Sequence, residues 1–132
     1  MGIARKLAKA GSNIVLNGFG EANSIQETIK SISDEFRVKV SYSPADLRFE
    51  KEIEGMMKEF HGEGNASIDI LVNNAGIQHV APIDTFPVEK WNEVMAINLS
   101  AVFHTTRLAL PSMKKKNWGR IINIASVHGL VG

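Results

Sequence analysis

Polar and small residues that could do chemistry gather in four places along the chain, each just after a short apolar run. They are Asn17-Gly18-Phe19-Gly20, Ala45-Asp46-Leu47, Asn73-Asn74-Ala75-Gly76-Ile77-Gln78-His79 and Ser126-Val127-His128-Gly129. Any one cluster alone reads as a turn. Together they place amide donors, a carboxylate, a hydroxyl and an imidazole after four successive strand candidates. In an open parallel sheet, ligands bind outside the carboxyl ends of the strands. Gln78 and His128 both carry hydrogen-bond donors and flank the expected pocket. Asn98 stands out differently, as a mediocre helix former in the middle of an apolar helical stripe. His61, His79 and His104 have no carboxylate or cysteine at metal-ligand spacing, so no metal site is expected.

The elements that must position these groups follow from the apolar spacing. Ile3, Leu7 and Ala10 lie at helical spacing before Gly11, and Asn13–Asn17 reads as a buried strand. Ser24 and Glu27 match a capping box opening a helix that runs along Ile25, Ile29, Ile32 and Phe36. Val38–Tyr42 is a second strand candidate. A helix follows through Ile53, Met56, Met57 and Phe60, closed by glycines at Gly62 and Gly64. Ile68–Val72 is the third strand. Val88 to Lys116 is helical, with Pro111 expected to bend or end it. Arg120–Ala125 is the last strand.

Strands alternating with helices predict βαβ units, hence a parallel sheet covered on both faces. The continuous runs Ile14-Val15-Leu16, Ile70-Leu71-Val72 and Ile121-Ile122 suit strands buried on both faces. The 132 residues, with no internal repeat or linker, predict one domain. Fifteen basic against fourteen acidic residues give a net charge of +1, which argues against a nucleic-acid partner. Lys114-Lys115-Lys116 reads as a solvated helix end. No apolar run reaches the roughly 20 residues of a membrane span. Arg5, Lys6 and Lys9 break any signal-peptide core, and there is no cysteine. A soluble, cytoplasmic protein with no membrane partner is expected.

Ile70-Leu71-Val72-Asn73-Asn74-Ala75-Gly76 resembles the NNAG signature of short-chain dehydrogenases/reductases. Asp46-Leu47, Asn98-Leu99 and Gly119–Ser126 follow the same family's order over almost the whole chain. Within it, Ile77–Pro82, Phe86–Trp91, Phe103–Arg107 and Ser126–Gly132 resemble bacterial-type D-3-hydroxybutyrate dehydrogenases. The resemblance implies a doubly wound, Rossmann-type α/β sheet with helices on both faces, here incomplete. It implies interconversion of (R)-3-hydroxybutyrate and acetoacetate by hydride transfer with NAD, in a homotetramer. A 3-oxoacyl reductase or another short-chain dehydrogenase is the neighbouring alternative.

The resemblance also implies roles. Asn17, Phe19, Asp46, Leu47, Asn73, Ala75 and Gly76 would line the cofactor, with Asp46 accepting from the adenine amino group and Asn73 also bracing the sheet. Ser126 would hydrogen-bond the substrate oxygen, where a neutral donor suits the negative charge that builds during ketone reduction. Asn98 would hold a relay water on its backbone carbonyl, and Gln78 and His128 would bind the substrate carboxylate. No cation stands near Asn17, so nothing there suits the 2′-phosphate of NADP.

Two family motifs are not found. The glycine-rich TGxxxGxG turn would precede Met1, and the YxxxK segment would follow Gly132. Gly2 cannot replace the first, and Tyr42, the one tyrosine, lacks the lysine of the second. The family's sheet order puts its first strand between Asn13–Asn17 and Ile68–Val72. The expectation is that residues 1–132 alone are inactive, unstable and poor at binding nicotinamide cofactors. A truncated product acting only by association with a full-length subunit is the non-enzymatic alternative.

Overall fold

The computed structural model describes residues 1–60 and 67–129, the side chain of His128 excepted. His61, Gly62, Gly64, Leu130, Val131 and Gly132 therefore lie outside the described residues. The chain divides into two compact units, Met1–Ala45 and Asp46–Gly132.

The first unit runs α1 (Gly2–Lys9), β1 (Ile14–Asn17), α2 (Ala22–Phe36) and β2 (Val40–Ser43). β1 and β2 pair in parallel, with Ile14 opposite Val40 and Asn17 opposite Ser43. α1 stops where Gly11 takes a positive φ of 89°, a conformation open to glycine at little cost. Ala8, Ile14, Ile32 and Val38 form the buried core, with Leu7, Leu16 and Phe36 against it. The expected capping box does not form. α2 already starts at Ala22, with Glu21 at its N-cap and no side-chain cap bond. The Glu21 carbonyl accepts the Ile25 N–H at 3.0 Å, so Ser24 sits inside the first turn. A capping serine needs non-helical backbone, which Ser24 lacks.

The second unit runs α3 (Glu50–Phe60), β3 (Ile70–Asn73), a 3-10 turn (Ile83–Thr85), α4 (Val88–Met95), a π-helical segment (Ala96–Ser100), α5 (Ala101–Lys116), β4 (Arg120–Asn123) and a 3-10 turn (Val127–Gly129). β3 pairs with β4 in parallel, from Ile70 opposite Arg120 to Asn73 opposite Asn123. Both strands are crossed on one side by α3 and α5, whose Ile53, Met57, Ala101, Ala109 and Met113 are buried with Leu71 and Ile121 packed on them. Full burial of Ile53 stabilises by roughly 1.5–3 kcal/mol. Arg107 adds a polar tie between the helices, its Nη2 donating to Glu50 at 2.7 Å and Glu54 at 2.8 Å.

Two expectations fail here. Pro111 does not end α5, which continues to Lys116. A proline removes one helical hydrogen bond, but Ala109 and Met113 on either side of it are core residues and hold the turn in place. The strands are also not buried on both faces. Val15 in β1 and Ile122 in β4 are exposed, so these two strands each leave an apolar side chain uncovered among the described residues. No helix among the described residues is long and apolar enough to cross a membrane.

Candidate functional site

The carboxyl ends of β3 and β4 are tied together by their last residues. Asn73 Nδ2 donates to Asn123 Oδ1 at 2.9 Å, directly across the register. Asn73 Oδ1 lies 2.8 Å from the hydroxyl of buried Thr105, which donates to it from α5. That hydroxyl also has the Ala101 carbonyl at 2.9 Å and has only one proton to share between them. Asn73 thus carries out the bracing role expected of it, with both ends of its amide engaged.

Beyond Asn73 the chain leaves the sheet along the same helix. Asn98, in the π-helical segment, accepts the Ile77 N–H at Oδ1 and donates from Nδ2 to the Ile77 carbonyl, each at 2.9 Å. π-bulges recur at functional sites, and this one sets a polar side chain against the strand exit where the surrounding positions are apolar. Ala75 and Gly76 between the two anchors are exposed. A Cβ on Gly76 would stand 3.6 Å from Asn98 Oδ1, so the backbone there lies against the amide. Further on, His79 meets Phe86 edge-on at 5.2 Å and Phe86 meets Trp91 at 6.4 Å. Gln78 is exposed between the Asn98 clamp and this aromatic row.

The second edge of the site is the exit of β4. Ser126 is exposed, and its carbonyl accepts the Gly129 N–H at 3.0 Å to close the 3-10 turn that carries His128. The imidazole of His128 lies outside the described structure.

Asp46 opens a turn, its carbonyl accepting the Phe49 N–H at 3.0 Å. Its Oδ1 accepts the Arg48 N–H at 2.9 Å, an Asx-turn bond. The Arg48 guanidinium closes on the same carboxylate, Nε at 3.1 and 2.9 Å from its two oxygens and Nη2 at 2.6 Å from Oδ2. The Arg48 side chain, hydrogen-bonded to Asp46, holds that carboxyl below its ordinary range. Leu47 packs against the α3–α5 core. In the first unit, Asn17 Nδ2 donates to the carbonyls of Ser43 at 3.1 Å and Ala45 at 2.8 Å, and the Tyr42 hydroxyl donates to Gly18 at 2.6 Å. Phe19 beside them is 75% exposed.

A family description for short chain dehydrogenases matches residues 1–132. The chain belongs to that family. It is 53% identical over 131 residues to a D-beta-hydroxybutyrate dehydrogenase of Cupriavidus necator, covering 99% of this chain and 50% of that protein. A D-beta-hydroxybutyrate dehydrogenase of Rhizobium meliloti is 52% identical over the same shares. A solved gluconate 5-dehydrogenase of Burkholderia cenocepacia, in complex with NADP and tartrate, matches at 34% identity and a TM-score of 0.84, covering 98% of this chain and 50% of that one. The chain spans about half the length of the curated relatives it matches. Its fold is the Rossmann-type α/β arrangement of this family, with an incomplete sheet.

Four structural participants were not among the residues expected at the site: Ile77, Arg48, Thr105 and Asn123. Asn123 could have been found, since it ends Arg120-Ile121-Ile122-Asn123 as Asn73 ends Ile70-Leu71-Val72-Asn73. Thr105 follows Asn98 by about two helical turns and shares its face. Ile77 takes part through its backbone, which leaves no mark on side-chain spacing.

Proposed function

We propose that the protein carrying this chain is an NAD-dependent oxidoreductase that interconverts (R)-3-hydroxybutyrate and acetoacetate. One observation carries the reading: Gln78 and Ser126 belong to segments leaving two strand ends that Asn73 and Asn123 hold in register, and Asn98 in the π-helical segment clamps the first of these at Ile77. The likeness to two D-beta-hydroxybutyrate dehydrogenases supports the substrate.

The residues present fit a nicotinamide dinucleotide. Ala75 and Gly76 are small and exposed, so a ribose can approach their backbone. Asn17 and Phe19 suit the adenosine end; Asn17-Gly18-Phe19-Gly20 supplies neither an acid for the ribose hydroxyls nor a cation for a 2′-phosphate, so the choice of NAD rests mainly on the likeness to D-beta-hydroxybutyrate dehydrogenases. Asp46 and Leu47 suit the adenine ring. When bound, NAD supplies the hydride acceptor. Ser126 then hydrogen-bonds the substrate oxygen through its hydroxyl, and Gln78 and His128 hold the carboxylate. The Asn98 side-chain amide is engaged with Ile77, and the reading assigns the relay water to its main-chain carbonyl.

Exposed Val88, Trp91, Leu99 and Phe103 on α4, the π-helical segment and α5 support a homotetramer; a cytoplasmic location and a small hydroxy or keto acid as substrate belong to the same proposal. The same exposed residues favour a second reading, association of a non-catalytic chain with a full-length subunit. Co-purification with a complete homologue supports that reading, and activity of the isolated chain overturns it.

The test joins residues 1–132 to the remaining half of the Cupriavidus necator enzyme. The hybrid is expected to oxidise (R)-3-hydroxybutyrate with NAD, and Ser126→Ala to lower kcat by about 100-fold or more. Gln78→Ala is expected to raise KM for hydroxybutyrate more than it changes kcat. A hybrid that reduces 3-oxoacyl thioesters but leaves hydroxybutyrate untouched would falsify the substrate assignment.

A further inference from the structure

Asp46, a proposed cofactor residue, does not present its functional group. Its carboxylate offers about four acceptor directions. The Arg48 N–H and Nε approach Oδ1, and Nε and Nη2 approach Oδ2, all between 2.6 and 3.1 Å. The Asp46 side chain is only 13% exposed, whereas Arg48 is 43% exposed and lies over it. An adenine amino group is a neutral donor, weaker than the charge-assisted guanidinium fork already in place. Adenine therefore reaches Asp46 only where Arg48 withdraws at least part of that fork.

Arg48 has somewhere to go. Its Nη1 lies 3.3 Å from Glu93 Oε1 on α4. Glu93 also accepts from Lys90 Nζ at 2.8 Å, and chiefly that bond, with Arg48 a smaller contributor, holds its carboxyl below the ordinary range. The backbone of Asp46 stays fixed in the meantime, because its N–H donates to Glu52 Oε2 at 2.7 Å and its carbonyl holds the Phe49 N–H. The Arg48 guanidinium carbon sits 5.5 Å over the Phe49 ring, a pivot that keeps the side chain within reach of both carboxylates.

We propose that Arg48 is an exchangeable cover over Asp46: it closes the carboxylate in the cofactor-free protein and transfers to Glu93 when an adenine ring takes its place. The proposal rests on the reading of Asp46 as an adenine-binding residue. Arg48 is a positioning residue in it, and Glu93 acts only through Arg48.

The test measures binding of AMP, which carries adenine without nicotinamide, to the hybrid of residues 1–132 with the remaining half of the Cupriavidus necator enzyme by calorimetry, and follows the Arg48 side-chain N–H resonance by NMR. Arg48→Gln is expected to tighten AMP by about threefold or more, the size of one exposed ion pair. Glu93→Gln is expected to weaken it by a similar factor in the wild-type background and to change nothing once Arg48→Gln is present. The Arg48 resonance is expected to move on AMP addition in the wild type and far less in Glu93→Gln. Weaker or unchanged AMP binding by Arg48→Gln overturns the exchange, since Arg48 is then a fixed brace. Asp46→Asn separates the two ideas. If it leaves AMP affinity unchanged, or if the unsubstituted hybrid binds NAD but no AMP, the adenine assignment of Asp46 falls and the exchange falls with it. If it weakens AMP while Arg48→Gln fails to tighten it, only the exchange is lost.

Discussion

Asn98 holds both backbone polar groups of Ile77, at 2.9 Å each, much as a neighbouring strand would. About two helical turns along, Thr105 reaches Asn73 at 2.8 Å. One face of the π-helical segment and α5 thus fixes the strand exit at two points, in reverse order along the chain. Ala75 and Gly76, the residues proposed to face the cofactor, lie between them.

Replacing Asn98 by Ala removes both bonds at the outer point. At about 0.5–1.5 kcal/mol net for each hydrogen bond, the loop is expected to lose about 1–3 kcal/mol of local stability. Hydrogen exchange of the Ile77 amide checks this and is expected to speed up by about tenfold or more. Unchanged protection at Ile77 would show that the loop is held elsewhere.

Thr105→Val keeps the shape of a buried side chain and deletes its donor. Asn73 Oδ1 then loses its partner from α5, at an expected cost of about 1–3 kcal/mol. Thr105→Ser is expected to recover much of the loss, because it restores the hydroxyl. Urea midpoints of the three proteins compare the effects directly.

Acid is expected to destabilise the second unit in a defined direction. Lys116, hydrogen-bonded to Asp69 at 2.9 Å, holds that carboxyl below its ordinary value, and the Arg48 side chain does the same for Asp46. With folded values below the unfolded value of about 3.9, the stabilisation is fully present above that pH. As pH falls, the unfolded chain takes up protons first, and the contribution is gone once pH passes below the folded values. Urea midpoints between pH 2 and 6 should therefore drop on acidification, less steeply in the Asp46→Asn and Asp69→Asn proteins.

Gly119 joins α5 to β4 with no room for a methyl group. A Cβ there would clash with Met113 Cγ and lie 2.7 Å from Met113 Cβ, too near the helix backbone for side-chain rotation to relieve. Gly119→Ala is expected to cost about 1–3 kcal/mol through overpacking. A second change, Met113→Ala, should make the alanine at 119 less damaging than it is alone. Thermal midpoints in a double-mutant cycle measure the coupling.

Local spacing made the order of helices and strands legible, because apolar periodicity is set within a few residues. It failed where tertiary packing overrode it. Pro111 sits mid-helix between core residues, and Ser24 lies within the first turn of a helix that began early. The strand-end residues were legible as a group, since Asn73, Asp46 and Ser126 each follow an apolar run. Their partners were not. Thr105 meets Asn73 across 32 residues and Asn98 meets Ile77 across 21, distances at which spacing carries no information. Arg48 was hidden for another reason: a turn-forming Asp and a ligand-binding Asp look alike until the contents of the carboxylate are known.

The edge-on row from His79 through Phe86 ends on Trp91, one of two tryptophans in the chain. The loop leaving the site therefore carries its own optical label. A ligand that shifts Ile77–Phe86 alters the polarity around that indole, and its emission reports occupancy without an added dye. Trp118, beneath the Arg120 guanidinium at 5.2 Å, supplies a second emitter against which to read the change.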